Sequence, residues 1–309
     1  MLVVAAATVS IYLVNTRVYG PEAKVEEYLD ALRAGDGGLA LGLLNAAVPE
    51  GADAALLDGE PLAESVTDLQ VQDISAGDAS GGQVPVAVTY TLGGSEGRTE
   101  FALRRAGTSW MFFTRWEFVP STLPTVQVSA PNLAEAGVNG ARVALPEGTG
   151  TFAAFYPGRV GASYASKYFE APEEAAVVES SSTSARLPLS TRATPALVED
   201  VQEQVRGFLD GCTEGQNRLA PPGCPFYHFT NNRVEEPITW EIVEYPEVEI
   251  SAGNQAWVVA PLNGRAKVTA TETDLFTGAK KPLVAETDFS FAARLSVGQD
   301  SAVLTPLVD

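Results

Sequence analysis

The chain has 309 residues, enough for two or three domains at roughly 100–200 residues each. Apolar types make up 45% and charged types 19%, which excludes a wholly disordered chain, a coiled coil or a polytopic membrane protein. Lys and Arg number 20 against 39 Asp and Glu, a formal net charge of −19 with no basic block to gather phosphates, so nucleic acid is a poor partner and none is expected.

Residues 1–15, MLVVAAATVSIYLVN, carry no charged side chain, and the first arrives at Arg17. The run reads as a membrane-inserting helix, with residues 1–20 as an anchor and residues 1–16 in the lipid bilayer. It is shorter than the ~20 apolar residues that span a hydrocarbon core of ~30 Å. A cleaved signal peptide needs a positive start and a small-residue cleavage site; the first is missing and Asn15-Thr16-Arg17 is a poor version of the second. A buried apolar helix of the first domain is the competing reading. Charge alone does not orient the anchor, since Arg17 lies on the side assigned to the exterior.

Pro21 opens PEAKVEEYLDALRAGD, in which Val25, Tyr28, Leu29 and Leu32 recur at helical spacing. Gly35, Gly37 and Gly38 break this helix, and a second short one follows around Leu39 to Leu44. The period then changes to two: Val84, Val86, Val88, Tyr90 and Leu92 alternate with small or polar residues. A Gly-rich turn at 93–97 leads to RTEFALRR, and Gly107 to SWMFFTRWEFV, which predicts consecutive antiparallel strands. On the last of these, Trp110, Phe112, Thr114, Trp116 and Phe118 share one face. Residues 21–120 are thus expected to form an α+β unit.

Residues 121–190 show short strand candidates with Gly or Pro between them and no helical period, which predicts a small β-sandwich. The turns Val138-Asn139-Gly140 and Tyr156-Pro157-Gly158-Arg159 punctuate it. Residues 179–194, rich in Ser and Thr, read as a strand edge running into a linker.

A third unit over residues 191–309 opens at Pro195 with a helix whose stripe is Leu197, Val198, Val201, Val205, Phe208 and Leu209, ending near Gly211. Strands follow to the end of the sequence given. The two cysteines, Cys212 and Cys224, flank TEGQNRLAPPG, a segment that turns the chain back, and a disulfide is the natural reading. Such a bond persists in an oxidising compartment. Two free buried thiols are the alternative.

The segment VEEYLDALRAGDGGLALGLLN followed by a strand meander with a late WxF-type strand resembles the cone-shaped nuclear-transport-factor-2-like superfamily. Enzymatic members of that superfamily place a His, Asp or Glu inside the cone. Here no His precedes His228, and the strand faces carry Val, Tyr, Phe and Trp, so the resemblance implies a non-catalytic member. FLDGC, the intervening loop and CPF, with Trp240 on a following strand, resemble C-terminal units of membrane-anchored extracytoplasmic proteins from high-GC Gram-positive bacteria. The serial layout of anchor and modules is similar to the TcaA class of envelope proteins.

Chemistry-bearing residues are sparse. Cys212, Cys224 and His228 lack a fourth donor and paired C-x2-C spacing, so no metal site is expected. The acid pairs Glu26-Glu27, Glu173-Glu174 and Glu235-Glu236 each have a helix-face or loop explanation, and GxSxG, GxxxxGKS and HExxH are absent. No catalytic residue and no cofactor are therefore expected. Among the aromatics Trp116, Tyr156, Tyr168 and Phe169, core packing is the default; Tyr156 and Arg159 are singled out as a binding surface, because a Pro-Gly turn projects its neighbours and Arg159 can grip an anionic polymer.

The expectation is an α+β, single-pass, membrane-anchored protein with its bulk extracytoplasmic. It would bind or scaffold an envelope polymer or another envelope protein without catalysis. The rival is a small-ligand carrier or enzyme that uses the hollow of one helix-and-sheet cone. An open pocket holding a desolvated acid or Tyr favours the rival, and a cone filled by its own side chains favours the binder.

Overall fold

The computed structural model describes residues 20–109, 113–215, 217–253, 256–298 and 301–308. The fold is α+β and mostly strand. The chain divides into two compact units: the described part of Met1–Tyr164 with Pro172–Ser190, and Ala165–Ala171 with Thr191–Asp309. The expected anchor, residues 1–16, lies outside the described residues. No helix among the described residues is long and apolar enough to cross a membrane.

In the first unit, helix α1 (Pro21–Arg33) starts on Pro21, whose missing N–H costs nothing in a first turn, and buries Val25, Tyr28, Leu29, Ala31 and Leu32. Helix α2 (Gly37–Leu44) is capped by the Asp36 carboxylate, which accepts from Leu39 N at 2.8 Å. The link between them requires glycine: Gly35 has φ +68°, and a Cβ there would sit 2.6 Å from the Gly59 carbonyl oxygen. Strand β1 (Ala46–Ala47) and helix α3 (Gly59–Ser65) follow.

Strands β2 (Gln70–Ala76), β3 (Gln83–Leu92), β4 (Ser95–Ser109) and β5 (Phe113–Phe118) form an antiparallel sheet in that order. The β3–β4 hairpin closes on Gly93 and Gly94 alone, both at positive φ, with Leu92 opposite Ser95. The expected longer turn is therefore shorter by three residues, because two glycines suffice for the left-handed corner. Val86, Val88, Tyr90 and Leu92 of β3 are buried, as the alternation predicts.

The remaining strands of this unit are β6 (Ser121–Thr122), β7 (Thr125–Ser129), β8 (Glu135–Val138), β9 (Ala141–Ala144), β10 (Thr149–Ala153), β11 (Gly158–Ala165), β12 (Phe169–Val178) and β13 (Ser184–Pro188). Central β7 pairs antiparallel with β10 and parallel with β13, while β12, β11, β8 and β9 lie side by side in that order. The sequence reading sets residues 121–190 apart, whereas 121–164 and 172–190 fall in one compact unit with the helices. The physical ties are specific. Tyr28 donates its hydroxyl to the Tyr156 carbonyl at 2.8 Å, and Asp53 exchanges backbone bonds with Thr151 and Ala153. Buried Asn139, at the Asn-Gly turn of β8–β9, accepts from Gly161 N at 2.8 Å and donates to the carbonyls of Arg159 and Pro61.

In the second unit, β14 (Arg192–Ala193) pairs with Phe169 and Glu170 at the start of β12. Helix α4 (Pro195–Thr213) is capped by Thr194 and buries Leu197, Val201, Val205, Leu209 and Cys212. It accompanies a sheet of β15 (Arg233–Glu244), β18 (Leu262–Thr273), β19 (Lys280–Val297) and β20 (Ala302–Leu307), with β16 (Ile250–Ala252) and β17 (Trp257–Val259) as a separate pair. Phe208 of the helix meets Phe291 of the sheet, ring centroids 5.6 Å apart.

Both edges of the large sheet are blunted. Gln204 reaches from α4 to β20, donating to the Ala302 carbonyl and accepting from Leu304 N, both at 2.9 Å, and Pro306 offers no N–H. Edge strand β15 carries Pro237 and two register shifts. Gln202, two residues earlier and on another side of α4, holds Pro246 O and Val248 N in the same manner.

Candidate functional site

The centre of the first unit is closed by aromatic rings. Tyr28 packs edge-on against Phe101 and Phe118, each at 5.6 Å, and against Phe155 at 6.3 Å. Tyr156 stacks on Phe101 at 5.6 Å with its face nearly parallel. Burial, above all, raises the Tyr28 hydroxyl well above its ordinary pKa, so it stays a neutral donor to Tyr156 O.

This corrects the binding surface expected at Tyr156 and Arg159. Tyr156 is only 5% exposed and belongs to the core. Burying a large ring stabilises by roughly 1.5–3 kcal/mol relative to leaving it exposed, and that gain draws Tyr156 inward. Arg159 does reach the surface, but its guanidinium is held by Glu173 at 2.6 Å. Tyr168 and Phe169 are also buried, Phe169 stacked on Trp257 at 4.0 Å, while Trp116 is half-buried.

Trp116 leads to a site that sequence reasoning missed. An open cleft of about 650 Å³ is bounded by Gly20, Ala23, Lys24 and Glu27 of the α1 region, by Gly42, Leu43 and Asn45 at the end of α2, and by Thr114–Glu117 of β5. The β4–β5 register sets Arg104 opposite Glu117 and Arg105 opposite Trp116. The Arg105 guanidinium lies 5.5 Å from the Trp116 ring centre, a cation–π contact. Glu117 is shared loosely by Arg115 at 3.7 Å and Arg104 at 3.9 Å, and Lys24 pairs with Glu27 at 2.8 Å. Two cations, Lys24 and Arg115, thus line the cleft against two acids, Glu27 and Glu117, while Arg104 and Arg105 lie outside its lining on alternate faces of β4. The cleft leaves no local signature in the sequence because its lining comes from two helices and one strand.

The second unit has an open cleft of about 480 Å³ around Lys167, Tyr168, Asp200, Glu203 and Gln204. Tyr168 donates to Asp200 Oδ2 at 2.6 Å and accepts from Lys167 Nζ at 2.7 Å. The Tyr168 hydrogen bond, more than the neighbouring charge, holds the Asp200 carboxyl below and the Lys167 ammonium above their ordinary values. Each ion is therefore fixed in its charged form, the opposite of an acid or base poised to exchange a proton near neutral pH.

Cys212 and Cys224 form a disulfide, with Cα atoms 5.8 Å apart. The loop beyond it is tucked in by Phe226, which is buried against Trp240 at 4.8 Å and Phe289 at 5.6 Å. Trp240 Nε1 donates to the Arg218 carbonyl at 2.9 Å, and His228 N donates to Leu219 O at 2.8 Å. Among the described residues, no group of three or more His, Cys, Asp or Glu is arranged to hold a metal ion. No protein-family model, curated protein or solved structure matches this chain.

Proposed function

We propose that the chain is a non-enzymatic, single-pass, membrane-anchored protein whose folded body lies outside the membrane and binds or scaffolds at the cell envelope. The observation that carries this reading is the filled interior of the helix-and-sheet body. Tyr28, Phe101, Phe118, Phe155 and Tyr156 occupy the space that a small-ligand carrier or cone enzyme needs empty. Polar chemistry lies instead on the open Trp116 cleft, where Glu27 and Glu117 are partly exposed. That arrangement suits recognition of a ligand presented from outside, such as an envelope polymer or another envelope protein. The Cys212–Cys224 bond supports an oxidising compartment. The cone, a small sandwich and a second helix-and-sheet module remain the finer architecture of this proposal, with residues 1–16 as the bilayer anchor.

Protease shaving of intact cells, followed by mass spectrometry, tests it. Release of peptides from 195–309 without lysis is the expected result. Peptides appearing only after lysis, with both cysteines alkylatable before reduction, would overturn the location and the scaffold role together.

A further inference from the structure

We propose that the tip of the β18–β19 hairpin in the second unit inserts Leu275 and Phe276 into the interfacial layer of a lipid bilayer. The two strands stay paired from Leu262 with Phe291 to Thr273 with Lys280, and the turn 274–279 carries both side chains beyond that last pair. Leu275 is exposed and Phe276 wholly so. The turn that presents them is held from within. The Asp274 carboxylate accepts from Phe276 N at 2.9 Å and Thr277 N at 2.8 Å, and its backbone is paired with Ala279 O and Gly278 N, both at 2.9 Å. Ala279 N donates to the Thr277 hydroxyl at 3.3 Å. Two large apolar side chains on a pre-formed turn make a contact surface whose ordering cost is already met.

Area, backbone and charge favour lipid as the occupant. Leu275 and Phe276 offer roughly 300 Å², and the exposed Tyr227 and Phe229 bring this to roughly 600 Å², short of the ~800 Å² per partner of a stable protein interface. Both loops belong to one end of the sheet, because the Thr230 hydroxyl donates to Glu272, two residues before the turn. A bilayer interface can be entered by so small a tip. The N–H groups of Asp274, Phe276, Thr277, Gly278 and Ala279 are spent inside the turn, so they bring no unpaired donor into an apolar layer and offer none to a protein partner. Behind the tip stand Arg233, in register with Thr273, and Lys280 and Lys281, all exposed. Their acids are less accessible: Glu272, which takes Lys281 at 3.0 Å, is buried, and Glu235, which takes Lys280 at 2.7 Å, is half-buried, while Glu236 is exposed. Cations on long stems so placed reach headgroup phosphates while the apolar tip lies deeper.

The inference does not require the anchor, and its test separates the two. The full chain carrying Phe276→Trp is mixed with phosphatidylcholine vesicles, and the added indole is read as the difference from the native chain. Its emission should shift to the blue, and lipid brominated on the acyl chains should quench it. Leu275→Asp in that background should raise the lipid concentration for half the shift about ten-fold, since a carboxylate replaces an apolar side chain in the layer. Far-UV circular dichroism of both variants checks that they fold, and flotation of the native chain reports the anchor separately. An indole that vesicles leave unshifted and brominated lipid leaves unquenched overturns the proposal, whether or not the chain floats. A blue shift that follows protein concentration without lipid also overturns it, by assigning the tip to a second copy of the chain. So does a lipid-dependent shift that Leu275→Asp leaves unchanged, because the tip then does not enter as a unit.

Discussion

The two units are held together by different physics. The first is organised around neutral rings, and its buried tyrosines, Tyr28 and Tyr90, have their hydroxyl pKa values raised chiefly by burial. In the second, hydrogen bonds and ion pairs depress the carboxyls of Asp200, Glu235, Glu272 and Asp274, a disulfide closes a loop, and two glutamines of α4 satisfy strand backbone. The second unit also leaves Tyr227, Phe229, Leu275 and Phe276 exposed on its loops. A core built on volume answers to substitutions that create cavities. The second unit has an apolar core as well, from Leu197, Val201, Val205 and Leu209 of α4 to Phe226, Trp240 and Phe289, and adds to it a crosslink and depressed carboxyls that answer to reductant and acid.

The sharpest way to break this contrast is a cavity. Phe101→Ala removes the ring that touches Tyr28, Phe118 and Tyr156 and should destabilise the first unit by about 3–5 kcal/mol. Hydrogen exchange at the β3 and β4 amides measures it, and an effect below about 1 kcal/mol would mean that the aromatic cluster is not what organises the unit. Next in size is reduction of Cys212–Cys224. Chain entropy for so short a loop gives about 3 kcal/mol, read as a lower denaturant midpoint for amides of α4 and β15 after treatment with reductant. Insensitivity to reductant would place the stability of the second unit in its sheet and helix alone.

Much of this fold was legible in the sequence wherever a period was long enough to read. The stripe Val25, Tyr28, Leu29, Leu32 became α1, the alternation over 84–92 became β3, and Leu197 to Leu209 became the buried face of α4. Helix α3 and strand β2 were not read, since seven residues of GEPLAES or QVQDISA carry too little pattern to outweigh loop composition. The cysteine pair was legible because only two sulfurs are present and a turning loop lies between them. The Trp116 cleft was not, because its lining comes from α1, α2 and β5, and Gly107, read as a break between strands, instead sits in an irregularity between Arg105 and Thr108 of β4. Tyr156 was read outward from its turn, and the carbonyl partner it supplies to Tyr28 lies 128 positions away.

A smaller effect sharpens the account of the second unit's edges. Gln204→Ala leaves the Ala302 carbonyl and Leu304 N without their side-chain partner and should cost about 1 kcal/mol, with faster exchange at the Leu304 amide. It also uncovers two positions of an edge strand, so greater self-association on heating is expected, measurable by light scattering. Unchanged Leu304 exchange would show that β20 is held through β19 alone.

The smallest effect, and the one that most cleanly separates the two kinds of stability, is acid. Glu272 is 6% exposed and receives Lys281 at 3.0 Å and the Thr230 hydroxyl at 3.0 Å, the Lys281 contact being the leading cause of its lowered pKa. A carboxyl depressed in the folded state contributes stability that is fully present above its unfolded value, here 4.5, and is lost as pH falls through the folded one. Asp200, Glu235 and Asp274 act with the same sign, and solvent around these more exposed groups screens each contribution. Protection of β15 and β18 amides should therefore fall in the native chain as pH drops below the ordinary carboxyl range. Glu272→Gln should lower that protection at neutral pH and flatten its acid dependence, because a neutral amide keeps the Thr230 contact but cannot be protonated in this range. An equally steep acid transition in Glu272→Gln would assign the pH response to other groups, and a steeper loss in β3 and β4 than in β15 and β18 would reverse the contrast between the units.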